Sequence, residues 1–73
     1  MLKNELKSIR MREYQKSQKE FSYFLRISGL QYNRYENNKN QPTLEMAIKI
    51  SKRLKKTVNE IWDEDNYENE DKP

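Results

Sequence analysis

Four helix-start signals, set at short and uneven intervals, constrain this chain more than anything else in it. Ser17 with Glu20, and again Thr57 with Glu60, have the three-residue spacing of a reciprocal capping box, while Ser28 and Thr43 stand alone where an N-cap hydroxyl belongs. Each opens an apolar rhythm that a polar loop or the next cap closes, so the helices are short. Short helices bury little singly and must pack against one another, which points to a small all-α domain with no strand signal.

In chain order, Leu2, Leu6 and Ile9 stand at i, i+4 and i+7 and predict a first amphipathic helix, with Lys3, Lys7 and Arg10 on its polar side and Met11 opposite the stripe. Residues 14–16 form the connection. Phe21, Phe24 and Leu25 predict a second helix over 18–25, and Arg26 and Ile27 the turn that follows it. Ser28 then caps a third helix ending at Glu36. At 100° per residue its Tyr32 and Tyr35 fall on one side, while Leu30, Gln31, Asn33 and Arg34 spread over the other. The tyrosines suit a core, and the other face suits solvent or a polar partner.

Residues 37–42, NNKNQP, read as a polar loop closed by proline. Beyond Thr43, the positions Leu44, Ala47, Ile48, Ser51 and Leu54 follow helical spacing, and Met46 and Ile50 widen the apolar arc enough for a helix buried on two sides. Lys49, Lys52, Arg53 and Lys56 form its basic side, which reads as a solvated face. The last helix carries Val58, Ile61 and Trp62. From Asp63 onward the chain is acidic and nearly devoid of apolar residues, and it is expected to be a tail without stable structure. The domain is thus assigned to residues 1–62 and the tail to 63–73.

A chain of 73 residues without cysteine or histidine has room for one modest core and lacks the usual ligands of catalytic and metal sites. Its serine hydroxyls have no imidazole to activate them, so no catalytic residue, metal ligand or cofactor is assigned, and the chain is not expected to be an enzyme. No apolar run is long enough to span a membrane, there is no signal-peptide core, and a cytoplasmic protein is expected. The formal net charge of +3 conceals a division. Residues 1–62 hold 14 Lys and Arg against 6 Asp and Glu, a balance of +8, whereas 63–73 hold one Lys against 6 acids, a balance of −5. A basic body of this kind favours polyanions, of which nucleic acid is the commonest.

The order of motifs resembles the Cro and phage-repressor type of helix-turn-helix, the XRE family, over roughly residues 2–62. Ser17-Gln18-Lys19-Glu20-Phe21-Ser22 is similar to the family's Thr-Gln-Glu-Glu-Leu-Ala opening of helix 2, and Leu25-Arg26-Ile27-Ser28 to its Leu-Gly-Val-Ser turn. Tyr32-Asn33-Arg34-Tyr35-Glu36-Asn37 resembles its Ile-Ser-Arg-Ile-Glu-Asn, Pro42 with Leu44 its Pro-x-Leu, and Thr57-Val58-Asn59-Glu60-Ile61-Trp62 its Ser-Leu-Asp-Glu-Leu-Phe. Three departures stand out. Arg26 occupies a usual glycine position and must either avoid positive φ or bear strain of order 1 kcal/mol. Asn38 replaces another frequent glycine, and the connection to Ser17 is about one residue longer than usual. In relatives an arginine at the place of Arg10 often pairs with the helix-3 glutamate, here Glu36; the longer connection leaves that pairing open.

The resemblance implies a compact five-helix, lambda-repressor-like domain that binds double-stranded DNA as a transcriptional regulator, a repressor, with helix 3 in the major groove and two copies on two half-sites. Gln31, Asn33 and Arg34 are the candidates for base edges and Leu30 for a thymine methyl, while Gln18, Asn37 and Lys39, with the N-terminus of helix 3 at Ser28, are the candidates for phosphates. A homodimer is expected, built from Ile61 and Trp62 with Met46 or Ile50. No small-molecule effector is evident. The alternative is a protein-interaction module, an antitoxin or accessory factor, served by Tyr23, Phe24 and the acidic tail.

Overall fold

A computed structural model describes residues 2–64; Met1 and residues 65–73, most of the expected tail, lie outside the described residues. The order is β1 (Leu2–Asn4), α1 (Leu6–Ser8) running on into a π-helical segment (Ile9–Tyr14), α2 (Gln18–Leu25), α3 (Gly29–Glu36), α4 (Leu44–Leu54), α5 (Val58–Ile61) and β2 (Trp62–Glu64). All four cap residues cap helices. Ser17, Ser28, Thr43 and Thr57 each accept a backbone N–H from three residues on, and Glu20 and Glu60 return the bond to complete two capping boxes. Such caps stabilise a helix by roughly 1 kcal/mol each, a large share of the stability of helices only four to eleven residues long.

The first helix is shorter than its apolar spacing predicts. Leu2 lies in β1, which pairs antiparallel with β2 in the register Leu2 with Glu64, Lys3 with Asp63 and Asn4 with Trp62. Three residues without alternation carry no strand signal, and each strand exists because the other lies beside it. Asp63 and Glu64, expected to open the tail, lie in β2. A backbone bond from Glu5 N–H to the Ile61 carbonyl, 2.8 Å, continues the seam.

The π-helical winding of residues 9–14 takes up the extra length expected in the connection. Bonds from i+5 close rings one residue larger than those of an α-helix, so a residue can be absorbed without unwinding the segment. The Arg10 carbonyl receives the N–H groups of both Gln15 and Lys16 where the segment ends. Met11, which lay opposite the apolar stripe, is exposed.

The core unites Leu6, Ile9, Phe21, Leu25, Tyr32, Tyr35, Ala47, Ile50, Leu54, Ile61 and Trp62. Phe21 meets Tyr32 edge-on with centroids 5.4 Å apart, and Tyr14 packs against both Phe21 and Phe24. On α4 the small residues Ala47 and Ser51 are buried, as the spacing predicts, but Leu44 and Ile48 from the same stripe are exposed. Two of the residues expected at a dimer seam are enclosed within a single chain: Ile50 and Ile61 are 0 % exposed. Trp62 is buried as well, and Met46 is half-buried against the same core. Ile50 and Ile61 therefore have no surface left for a second copy.

Candidate nucleic-acid interface

The α2–α3 unit is built from its turn outward. Arg26 ends α2 in the left-handed region at φ 64°, so of the two outcomes open to it the chain takes the strained one. That geometry lets the Ile27 N–H reach back to the Ser22 carbonyl at 3.0 Å and sets the angle at which α3 departs. Ser22 is buried and turns its hydroxyl onto the Lys19 carbonyl, 2.8 Å, which leaves the crossing narrow and satisfied. A Cβ added at Gly29 would stand 3.8 Å from the Ser22 Oγ, an ordinary contact, so the crossing itself does not demand the chain's one glycine. Asn38, after α3, also takes the left-handed conformation, at φ 60°.

Beneath α3 lies a carboxylate that several elements share. Arg10 donates to both oxygens of Glu36, Nε to Oε1 at 3.0 Å and a terminal nitrogen to Oε2 at 3.2 Å, and its other terminal nitrogen donates to the Lys16 carbonyl at 3.0 Å. The pairing familiar from relatives is therefore present. The Tyr32 hydroxyl donates to Oε1, and Gln18 Nε2 donates to Oε2 at 2.9 Å. Gln18 Oε1 in turn accepts from Asn33 Nδ2, also at 2.9 Å. Burial by itself would raise the Glu36 carboxyl, but the hydrogen bonds from Arg10, Tyr32 and Gln18 outweigh it and hold the group below the ordinary carboxylate value. The same bond raises the Arg10 guanidinium, and burial pushes the Tyr32 phenol well above its usual range. The carboxylate is thus ionised at neutral pH, and it locks the first helical segment, α2 and α3 into one rigid piece.

The residues singled out from the sequence fall into two groups on this piece. Leu30, 64 % exposed, and Arg34 project into solvent. Gln31 and Asn33 are half-buried, and both amides are engaged: Gln31 Nε2 with the Tyr35 hydroxyl at 2.8 Å, Asn33 with Gln18. Ser28 is exposed and occupied in capping, its Oγ accepting the Gln31 N–H at 3.0 Å. Asn37 and Lys39 are exposed just past the helix, where the Lys39 N–H returns to the Arg34 carbonyl at 2.8 Å. Gln18 is half-buried at the start of α2.

Asn4 has a part in this unit that its sequence context does not announce. Its Nδ2 donates to the Tyr35 carbonyl at 3.0 Å and to Asn38 Oδ1 at 3.1 Å, and its Oδ1 accepts the Leu6 N–H at 2.9 Å, so one side chain holds the first N–H of α1 and pins the loop after α3. A residue in a three-residue strand, more than thirty positions away from Tyr35 and Asn38, gives no local sign of that role.

A rigid short helix, with amides, a guanidinium and an apolar side chain on its outer face and a basic loop at its end, has the chemistry of a surface that reads base edges between phosphate contacts. Among the described residues no helix is long and apolar enough to cross a membrane. Comparison with protein families finds that the helix-turn-helix model HTH_3 matches residues 6–61. No curated protein matches the chain.

Proposed function

The chain belongs to the HTH_3 helix-turn-helix family, of the Cro/C1 type, and is a DNA-binding helix-turn-helix regulator; from that premise we propose that it is a sequence-specific repressor that lays α3 in the major groove. The observation that carries this reading is the seating of α3. Tyr32 and Tyr35 are buried and Glu36 is held by three other side chains, so Leu30, Gln31, Asn33 and Arg34 are presented from a fixed platform. Arg34 reads guanine, the two amides read base edges, and Leu30 meets a thymine methyl. Gln18, Asn37, Lys39 and the N-terminal turn at Ser28 hold the phosphates.

The regulator works as a symmetric dimer on two half-sites. With Ile50 and Ile61 enclosed, the seam falls instead on Leu44, 73 % exposed, which lines an apolar cleft of about 150 Å³ together with Leu2, Pro42, Val58 and Trp62. A protruding leucine next to a pit large enough for one is the self-complementary arrangement that a two-fold axis needs. One observation favours the second reading, a protein-interaction module: Tyr23 is 86 % exposed beside a groove lined by Lys16, Lys19 and Phe24.

Selection of bound sites from random duplex DNA, followed by titration of the chosen site, tests the proposal. A recovered palindrome and an affinity that falls steeply with salt are expected. Arg34→Ala costs about 1–3 kcal/mol with relaxed preference at one base pair, whereas Lys39→Ala weakens all sequences alike. Uniform losses from both variants would remove α3 as the reader, and salt-insensitive capture of one protein without DNA affinity would establish the interaction module in its place.

A further inference from the structure

The amides on the outer face of α3 are not held alike, and the difference reaches back to the buried carboxylate. An ionised carboxylate only accepts hydrogen bonds, so the Gln18 atom facing Glu36 Oε2 at 2.9 Å must be the amide nitrogen. That choice turns the Gln18 oxygen, which also only accepts, toward Asn33, and the Asn33 atom meeting it at 2.9 Å must again be the amide nitrogen. Two amides whose orientation would otherwise be free are ordered in series by one charge. We infer that Glu36, acting through Gln18, sets the amide polarity of Asn33 and thereby makes Asn33 a reader of adenine. The inference rests on the reading of α3 as the major-groove helix.

With one N–H committed to Gln18, Asn33 keeps its second N–H and its Oδ1, the donor and acceptor that match N7 and the 6-amino group of adenine. The reversed amide would set Oδ1 against Gln18 Oε1, two acceptors in a half-buried position. Gln31 lacks this constraint. Its partner is the Tyr35 hydroxyl at 2.8 Å, which can donate or accept and so satisfies either orientation of the Gln31 amide. Asn33 is therefore the strict reader of the pair and Gln31 the permissive one, with Gln18 and Glu36 as positioning residues for the first. Gln18 retains its second amide hydrogen for a phosphate, so its two roles are compatible.

The test uses the full chain, the site selected from random duplexes, and a panel substituted at each base pair, with the pair read by Asn33 identified as the one whose preference Asn33→Ala abolishes. Gln18→Ala frees the Asn33 amide and should lower the discrimination for adenine at that pair about fivefold or more, leaving the ranking at other pairs intact. Gln18→Lys places a group that only donates between Glu36 and Asn33. Its ammonium keeps a bond to Glu36, and it should turn Asn33 Oδ1 inward and move the preference at that pair away from adenine. In the free protein, nitrogen-resolved NMR should show one protected Asn33 side-chain amide proton that loses protection in Gln18→Ala. Thermal melts confirm that each variant is folded. Loss of affinity that is equal for all bases in both Gln18 variants, or an Asn33 amide unprotected in the parent chain, overturns the relay while leaving α3 as the reader. If Asn33→Ala changes no base preference, Asn33 is not a reader, and the relay falls together with that part of the functional proposal.

Discussion

Around Glu36 every buried polar group has a partner, whereas at the junction of α5 and β2 the Trp62 Nε1–H, buried in the same core, has none among the described residues. The two regions solve different problems. The first segment, α2 and α3 are registered by directional bonds converging on a charge, which fixes orientation to a fraction of an ångström and leaves little room for substitution. The α4–α5–β2 region is joined by shape and apolar area, through Ala47, Ile50, Leu54, Ile61 and the indole, which tolerates adjustment. The part of the molecule proposed to touch DNA is the one built with the tighter geometry.

The largest effect should come from breaking the charged centre. Side chains of Arg10 and Glu36 are 12 % and 4 % exposed, and removal of either partner of so buried a pair, by Arg10→Met or Glu36→Leu, should cost about 3–5 kcal/mol in urea unfolding. That is a large part of the stability a domain of this size has. The double variant should recover much of the loss, because no charge is then stranded. The pH dependence has a definite sign. The folded Glu36 carboxyl titrates below its ordinary value of 4.5, so its contribution is fully present above that value and is lost as pH falls below it through the folded pKa. By contrast the Lys56–Glu13 pair, 3.0 Å apart at the surface, should leave the urea midpoint nearly unchanged when Lys56 is replaced by Ala.

A smaller effect sharpens the other side of the comparison. Trp62→Phe removes the unpaired indole N–H, whose burial costs about 1–3 kcal/mol, and this offsets the poorer packing of the smaller ring. The variant should unfold within about 1 kcal/mol of the parent. A loss of several kcal/mol would mean that the indole nitrogen is satisfied after all and that the two regions are built alike.

A small gain should appear equally in both regions. Gln15, Arg26, Asn38 and Lys55 all have positive φ, and none is glycine. Arg26→Gly at the end of α2 and Lys55→Gly at the end of α4 should each stabilise by about 0.5–1 kcal/mol, the relief of left-handed strain less the added freedom of the unfolded chain. Each should raise the thermal midpoint by a few degrees, measured by circular dichroism, roughly 2–6 °C for a domain this small. A gain at Lys55 with none at Arg26 would show that the turn between α2 and α3 depends on the arginine side chain itself.

Much of this was legible from residues close together in the chain. The caps at Ser17, Ser28, Thr43 and Thr57, the burial of Tyr32 and Tyr35 and the solvent exposure of Leu30 and Arg34 follow from hydroxyl chemistry and the 3.6-residue repeat, both of which act within a few positions. What the tertiary structure decided involves partners distant in sequence. The pairing of β1 with β2 joins the two ends of the domain, and it gives Asp63 and Glu64 a place that their composition denied them. Ile50 and Ile61 proved to be interior because several elements surround them, a fact no single helix face can report. Arg10 found Glu36 although the connection between them is long, since the π-helical winding of residues 9–14 absorbed the difference. The polarity of the Asn33 amide depends on a carboxylate three residues away acting through a glutamine fifteen residues back. Periodicity and capping are properties of the local backbone and can be read one segment at a time, but hydrogen-bond direction and enclosure exist only once several segments have met.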